Sequence, residues 1–242
     1  YENFPLPLDE FGWNILLVGI INYMLKRYQK NLFFVIASPL MRINSFRIKY
    51  FNSFKKKPLK LHLGPGPNKY IDEWINIDAN MLSGKCDLWL DLRYKLPFKN
   101  SSVDCCYSYH MVEHLPSMKS HFVDIFRILK SGGIYRFGGP NGDTAMKKFI
   151  ENDSEWFSDF PDKRNSIGGK FENFIFCRNE HLTILTFSYL KEILEDVGFI
   201  NIKKYLPTKE TQKPEVFDQC LNFEDENDFE NPHTLILEVS KP

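Results

Sequence analysis

From Leu59 onward the chain alternates short apolar runs with amphipathic helical patterns, and this alternation limits the folds open to it. Seven runs have the length and turn-residue boundaries of strands: 59–63, 74–77, 86–90, 103–109, 134–137, 200–206 and 234–239. Helices are predicted over 117–130, which ends at Gly132-Gly133, and from Phe187 to Val197, with Gly198 as C-cap. Strands that alternate with helices predict an α/β fold with a mostly parallel sheet covered on both faces.

Composition narrows the class of protein further. A chain of 242 residues can bury a core without disulfides or metal. Its 31 basic and 31 acidic side chains cancel, so no nucleic-acid partner is expected. The five cysteines are odd in number and show no CxxC pair, which predicts a reducing, cytoplasmic setting.

The N-terminal part of the chain has a different pattern. The apolar run 11–25 is too short to span a bilayer, and ten Lys or Arg with no acid lie between Lys26 and Lys60. We expect a helical, basic arm over 1–58 before a domain over 59–242. The run 11–25 would lie on a membrane interface, on the main domain or on a second copy of the chain. Because the chain begins at Tyr1 rather than Met, we expect the natural N terminus to lie upstream.

Two features at strand ends indicate a ligand site. Gly64-Pro65-Gly66 directly follows the first predicted strand, where the backbone can approach a ligand closely. The second strand ends in Asp78, whose two oxygens could accept from a ribose diol, although Asp78 could equally cap a turn. The third glycine of a dinucleotide fingerprint is missing, and only about ten residues precede the next strand, so a nicotinamide site is excluded.

Further motifs follow in a fixed order: Asp91 before Leu96-Pro97-Phe98, Glu113-His114-Leu115 after the fourth strand, and Leu129-Lys130-Ser131-Gly132-Gly133 before the fifth. The whole series resembles class I S-adenosylmethionine-dependent methyltransferases, in the broad group that reads LNLGxG, WINVD, LPF, EHL and LKPGG. The resemblance covers about residues 59–239. It implies a Rossmann-like sheet of seven strands with the last antiparallel, preceded here by the helical arm, and S-adenosylmethionine as cofactor.

The resemblance also implies cofactor contacts at the strand ends, namely His62, Gly64, Pro65, Gly66, Asp78, Ala79, Asp91, Leu92, Tyr109 and His110. The glycine loop would pass beneath the methionine part of the cofactor, Asp78 would hold the ribose, and Asp91 would accept from the adenine amine. His62 stands where many relatives carry an acid or Asn.

The expected reaction is methyl transfer to a small-molecule or glycan acceptor, with oxygen as the favoured atom. In-line displacement depends chiefly on alignment, but an oxygen acceptor also needs a base with a pKa near neutrality. The catalytic candidates are His110 first and His181 second. The acceptor region is predicted over 142–181, with Gly168-Gly169 as a hinge and seven aromatics that could instead form a satellite core. The acidic insert 207–232 has no predicted chemical role.

Two alternatives from other classes stay open. His110-x-x-Glu113-His114 matches the HxxEH pattern of some zinc peptidases, which would make the protein a zinc hydrolase. Because Pro116 interrupts the helix that such a site needs, no metal is expected, and Glu113 and His114 could simply brace the loop. A non-catalytic methyltransferase-like module, which serves as a scaffold, is the other alternative.

Overall fold

A computed structural model describes residues 27–51, 58–80 and 84–242. It contains a seven-stranded sheet in the order β3-β2-β1-β4-β5-β7-β6. The strands are β1 (Lys60–Leu63), β2 (Ile75–Asp78), β3 (Leu88–Trp89), β4 (Val103–Tyr109), β5 (Leu129–Pro140), β6 (Ile200–Tyr205) and β7 (Thr234–Ser240). Strands β1 to β5 pair in parallel, and β7 is antiparallel to both β5 and β6. The predicted sheet and its antiparallel last strand are confirmed.

The helices are α1 (Arg27–Phe51), α2 (Met118–Ile128), α3 (Gly142–Ile150), α4 (Ile167–Phe176), α5 (Phe187–Val197) and α6 (Pro214–Leu221). The two helices predicted from periodicity, α2 and α5, form within a few residues of the predicted bounds. Ser117 caps α2 through the Ser120 N–H. Gly198 ends α5 with a φ of +104°, a left-handed conformation that glycine adopts without strain.

One face of the sheet carries the larger core. Phe122 and Ile125 of α2, and Leu190 and Leu194 of α5, are buried against strand residues that include Leu61. These are the same apolar positions whose helical spacing predicted the two helices. The amphipathic pattern therefore specified which sides of α2 and α5 meet the sheet.

The other face is covered in an unexpected way. The connection between β1 and β2, which the structure describes throughout, contains no helix. Helix α6 of the acidic insert packs on this face instead, with the Phe217 ring 6.0 Å from that of Trp74. The Tyr107 hydroxyl donates to the Cys220 carbonyl at 3.3 Å. The insert thus completes the second layer of the domain, a role that the sequence did not predict.

A buried ion cluster ties the same insert to the sheet. Arg136 of β5 makes two hydrogen bonds of 2.7 Å to the Glu224 carboxylate and one of 2.6 Å to Glu238 of β7. All three side chains are fully buried. A buried guanidinium needs carboxylate partners to offset its desolvation, so this cluster fixes where residue 224 must lie.

Helix α1 is buried on one side only, where Ile48 joins the larger core. Ala37, Met41 and Ile48 are buried, whereas a stripe on the opposite side is more than half exposed: Leu32, Val35, Ile36, Leu40 and Ile43. The apolar run 11–25 lies outside the described residues. None of the described helices is long and apolar enough to cross a membrane.

The predicted acceptor region, residues 142–181, contributes to a small core that is separate from the larger one. Ala145 of α3 and Ile175 of α4 pack with Trp156 and Phe157. The satellite-core alternative therefore accounts for the buried aromatics of this segment. Residues 168–169, predicted as a hinge, lie in the first turn of α4.

We predict that Arg136→Met lowers the free energy of unfolding by about 3–5 kcal/mol, because it leaves two buried carboxylates without their partner. Urea titration would measure the change. The control is Lys119→Met, which removes one side of the exposed Lys119–Asp196 pair and should cost less than about 1 kcal/mol. Equal losses in the two variants would contradict the structural role given to the buried cluster.

Candidate active site

The glycine loop lies at the carboxyl end of β1. Gly64 has a φ of +71° and donates its N–H to the Ile77 carbonyl at 2.8 Å. A Cβ on Gly64 would lie 2.7 Å from the Met111 Cγ, whereas a Cβ on Gly66 would meet no atom of the described residues within 4 Å. As far as the described residues show, the loop is therefore packed tightly at its first glycine and open at its second.

Asp78, at the end of β2, holds this loop in place. Its Oδ2 accepts from the Gly66 N–H at 3.0 Å, and its Oδ1 accepts from the Asn80 N–H at 2.8 Å. Burial raises the pKa of Asp78. Two backbone N–H groups thus donate to the carboxylate, so Asp78 caps the turn. Next to it, the Ala79 carbonyl accepts from Trp89 Nε1 at 2.7 Å.

His62 does not join the site. Its side chain is 1% exposed, and Nδ1 lies 3.0 Å from Asn76 Oδ1. Its ring packs on Tyr107 at 5.1 Å. Burial lowers the pKa of His62 to about 4, so the ring is neutral at pH 7. The structure makes it a core residue because its position in β1 points it into the face covered by α6.

Asp91 is occupied by protein donors. Arg93 donates to it from the backbone N–H, Nε and Nη2, and Ser38 of α1 donates at 2.9 Å. Burial alone would raise the pKa of Asp91, but these hydrogen bonds hold it below its usual value. Each oxygen has two donors, so the carboxylate has no acceptor position left for the predicted adenine amine. Asp91 anchors α1 instead, and the neighbouring Leu92 is buried.

His110 follows β4 with a φ of +51°, a left-handed conformation that is strained for histidine. Its Nδ1 lies 3.2 Å from Glu113 Oε1 and its Nε2 lies 3.2 Å from Thr234 Oγ1. Its side chain is 39% exposed, so the ring is accessible to a substrate. The contact with Thr234 was not predicted, because that residue is far away in sequence.

Tyr109, the preceding residue, is buried beside His110 with the ring centroids 4.5 Å apart. Its hydroxyl accepts from the Asp225 N–H at 3.0 Å, and the Lys69 Nζ lies 4.0 Å from its ring centroid. Burial raises the pKa of Tyr109 to about 12, so the phenol stays protonated at neutral pH. Tyr109 therefore connects the predicted site to the acidic insert.

The second catalytic candidate, His181, lies next to Glu113 and His114. Each of these three residues has one potential metal-ligand atom, a ring nitrogen or a carboxylate oxygen, and these three atoms all lie within 4.8 Å of one another. Burial, the largest influence, lowers the pKa of His181. Burial raises the pKa of Glu113, but the hydrogen bond from His110 and the nearby histidines hold it below its usual value. The structure thus adds His181 to Glu113 and His114 as a potential metal ligand, while His110 bonds to Glu113 Oε1.

Part of the chain matches a known protein family. Residues 78–137 match the family described as "Methyltransferase domain". No curated protein matches the chain at a significant level. The matched segment runs from Asp78 at the end of β2 into β5, and so contains the strand ends at which His110 and Glu113 lie.

Among solved structures, phosphoethanolamine N-methyltransferase 2 of Haemonchus contortus with S-adenosyl-L-methionine is 16% identical, with a TM-score of 0.47. The match covers 83% of this chain and 52% of that one, so the chain spans about half the length of the Haemonchus enzyme. A possible histamine N-methyltransferase of Thermotoga maritima is 13% identical over 95% of this chain and 99% of that one, with a TM-score of 0.49.

Residues 78–137 thus match a methyltransferase domain, and the seven-stranded sheet order agrees with the resemblance that the motifs predicted.

The two glycines give a test of the loop. Both Gly64→Ala and Gly66→Ala should cost about 1–2 kcal/mol of stability for the left-handed conformation, but only Gly64→Ala also meets Met111. We expect Gly64→Ala to be the more destabilising by at least about 1 kcal/mol in urea titration. The difference in unfolding free energy between these two variants should become smaller when Met111 is also replaced by Ala. Equal losses from the two substitutions would contradict the close approach of Met111.

Proposed function

We propose that this chain transfers a methyl group from S-adenosylmethionine to an oxygen of a small-molecule or glycan acceptor. The observation that carries the proposal is the joint placement, at one edge of a class I sheet, of a glycine loop held by Asp78 and an accessible histidine paired with a buried carboxylate. The first feature suits the cofactor and the second suits a hydroxyl acceptor.

On the cofactor side, some of the predicted residues suit S-adenosylmethionine and others do not. Among the described residues, nothing fills the space beside Gly66, which would admit a ligand against the backbone, and the Asp78 carboxylate would accept from the ribose hydroxyls. When bound, S-adenosylmethionine supplies a methyl group on a positively charged sulfur, which leaves with the electron pair of the C–S bond. Asp91 contributes only through the segment that it holds, since its oxygens are occupied.

On the acceptor side, His110 is the proposed base. With Nδ1–H donated to Glu113, Nε2 carries the lone pair that can take the acceptor's hydroxyl proton. The acceptor hydroxyl would replace Thr234 as the donor to Nε2. The buried Glu113 carboxylate orients the ring and stabilises the imidazolium that forms, which is how a carboxylate assists a histidine base.

The finer predictions about the surroundings of the protein stay predictions. These are the cytoplasmic location and the contact of residues 11–25 with a membrane or a second copy. In support of such a contact, the exposed stripe of α1 is apolar, and the sequence around it is basic and free of acids.

Cofactor binding is tested through Asp78. We expect Asp78→Ala to bind S-adenosylhomocysteine about 10- to 150-fold more weakly in calorimetry, since hydrogen bonds to a charged group contribute about 1.5–3 kcal/mol. Asp72→Ala, which removes a nearby exposed carboxylate, should bind like the parent. Unchanged binding in Asp78→Ala would refute the role of Asp78. Absence of binding by the parent protein would favour the non-catalytic alternative.

The base is tested by His110→Asn, because Asn tolerates the left-handed conformation better than Ala does. With radiolabelled S-adenosylmethionine and a panel of phenols, sugars and amines, we expect kcat to fall by about 10²- to 10⁴-fold while binding of S-adenosylhomocysteine is unchanged. His233→Asn is the matched control, since the His233 side chain is 32% exposed and is likewise bonded to a carboxylate, at 3.1 Å from Glu226. Equal kcat in His110→Asn and the parent would exclude His110 as the base.

A further inference from the structure

The starting observation is an unsatisfied oxygen in Glu113. The Glu113 side chain is fully buried, on the short 3-10 helix Val112–His114 that follows β4. Its Oε1 is bonded to His110, but Oε2 has no hydrogen-bond partner among the described residues. The backbone of Gly139 closes the space behind it, because a Cβ there would lie 3.0 Å from Oε2. A buried carboxylate oxygen without a partner is costly, so a bound group is the expected explanation.

His114 and His181, the two histidines that lie beside Glu113, are held in one tautomer. His114 Nδ1 lies 3.0 Å from the Glu180 carbonyl, and His181 Nδ1 lies 2.9 Å from the Ile175 carbonyl. A carbonyl only accepts, so each neutral ring carries its proton on Nδ1 and its lone pair on Nε2. Backbone carbonyls that orient imidazoles in this way are the usual outer shell of histidine metal ligands.

A backbone hydrogen bond brings His114 and His181 together. The Leu182 N–H donates to the Glu113 carbonyl at 2.8 Å, which fixes the segment containing His181 against the 3-10 helix. The rings of His114 and His181 are 4.9 Å apart in an edge-to-face arrangement. His114 is exposed and His181 half-buried, so the cluster is accessible from solvent.

We propose that Glu113, His114 and His181 bind a divalent first-row transition-metal ion. One carboxylate and two imidazoles suit zinc, manganese, iron or cobalt better than magnesium or calcium, which prefer oxygen ligands. Three protein ligands leave coordination positions open, as in metal sites that take a substrate. The set differs from the HxxEH triplet in the sequence, because His181 replaces His110 as the third ligand.

The location suggests what the ion does, and this part rests on the proposed function. Glu113 contacts the proposed base through Oε1 and also belongs to the cluster, so one carboxylate joins His110 to the proposed ion. A cation there attracts the acceptor oxygen and favours loss of its proton to His110. The acceptors selected are those with a second oxygen or nitrogen next to the hydroxyl, which can also reach the ion.

The test is titration of the metal-free full chain with Co²⁺, followed by its visible absorption and by calorimetry. We expect one Co²⁺ per chain, with binding at least about tenfold weaker in Glu113→Gln and in His181→Asn, as loss of a ligand or its support typically gives. Glu226→Gln, which removes a carboxylate from another Glu–His pair, should bind Co²⁺ like the parent.

Three outcomes would overturn the site: absence of saturable Co²⁺ binding, binding that survives both Glu113→Gln and His181→Asn, and loss of binding in His110→Asn but not in His181→Asn. Far-ultraviolet circular dichroism of each variant identifies those that fail to fold, and the two ligand variants test the site independently. Calorimetry with S-adenosylhomocysteine separates the two proposals. If the chain binds Co²⁺ but not S-adenosylhomocysteine, the metal site stands and the proposed function fails. If it binds S-adenosylhomocysteine but not Co²⁺, only the metal site fails.

Discussion

The structure depends most on a single buried guanidinium. Arg136 lies in the middle of β5 with no exposure to solvent, and among the described residues Glu224 and Glu238 are the carboxylates that offset its charge. Taking these charges out of water is costly unless their geometry is close to ideal, so the acidic insert has little freedom over where it crosses the sheet. That course carries Phe217 onto the face that lacks a helix between β1 and β2.

The same course shapes the candidate site. Directly after Glu224, the backbone of Asp225 donates to the Tyr109 hydroxyl, and Glu226 accepts from the N–H groups of His233 and Thr234. Thr234 in turn contacts the ring of His110. A structural ion cluster therefore sets the position of the hydroxyl beside the proposed base. The insert that had no chemical role in the sequence forms one wall of the site.

Glu113 is the second point on which the site depends. Its Oε1 pairs with His110, and its Oε2 has no hydrogen-bond partner among the described residues. One of its oxygens lies within 4.8 Å of a ring nitrogen of His114 and of His181. Among the residues that the structure describes, no lysine or arginine is paired with this buried carboxylate. Its charge is balanced by imidazoles and, in our proposal, by a cation. In that proposal, one acid links proton transfer to acceptor binding.

Local features of the chain were predictable from sequence. Strand β4 and helix α5 form over the predicted ranges. Period-two spacing, helical spacing and the C-cap glycine Gly198 are signals that act over a few residues. The turn at Gly64 and its support by Asp78 were predictable for the same reason, since a strand, a turn and a strand end are close in sequence.

Sequence alone determined the class of fold, the edge of the sheet where the site lies, and the residue types available there. Only the tertiary structure decided which of those residues meet. Asp91 is occupied because α1 docks Ser38 against it, and His181 joins Glu113 because a backbone hydrogen bond from Leu182 holds its segment there. Such contacts join side chains far apart in the chain, and they form only when packing of the whole sheet offsets the entropy of bringing them together.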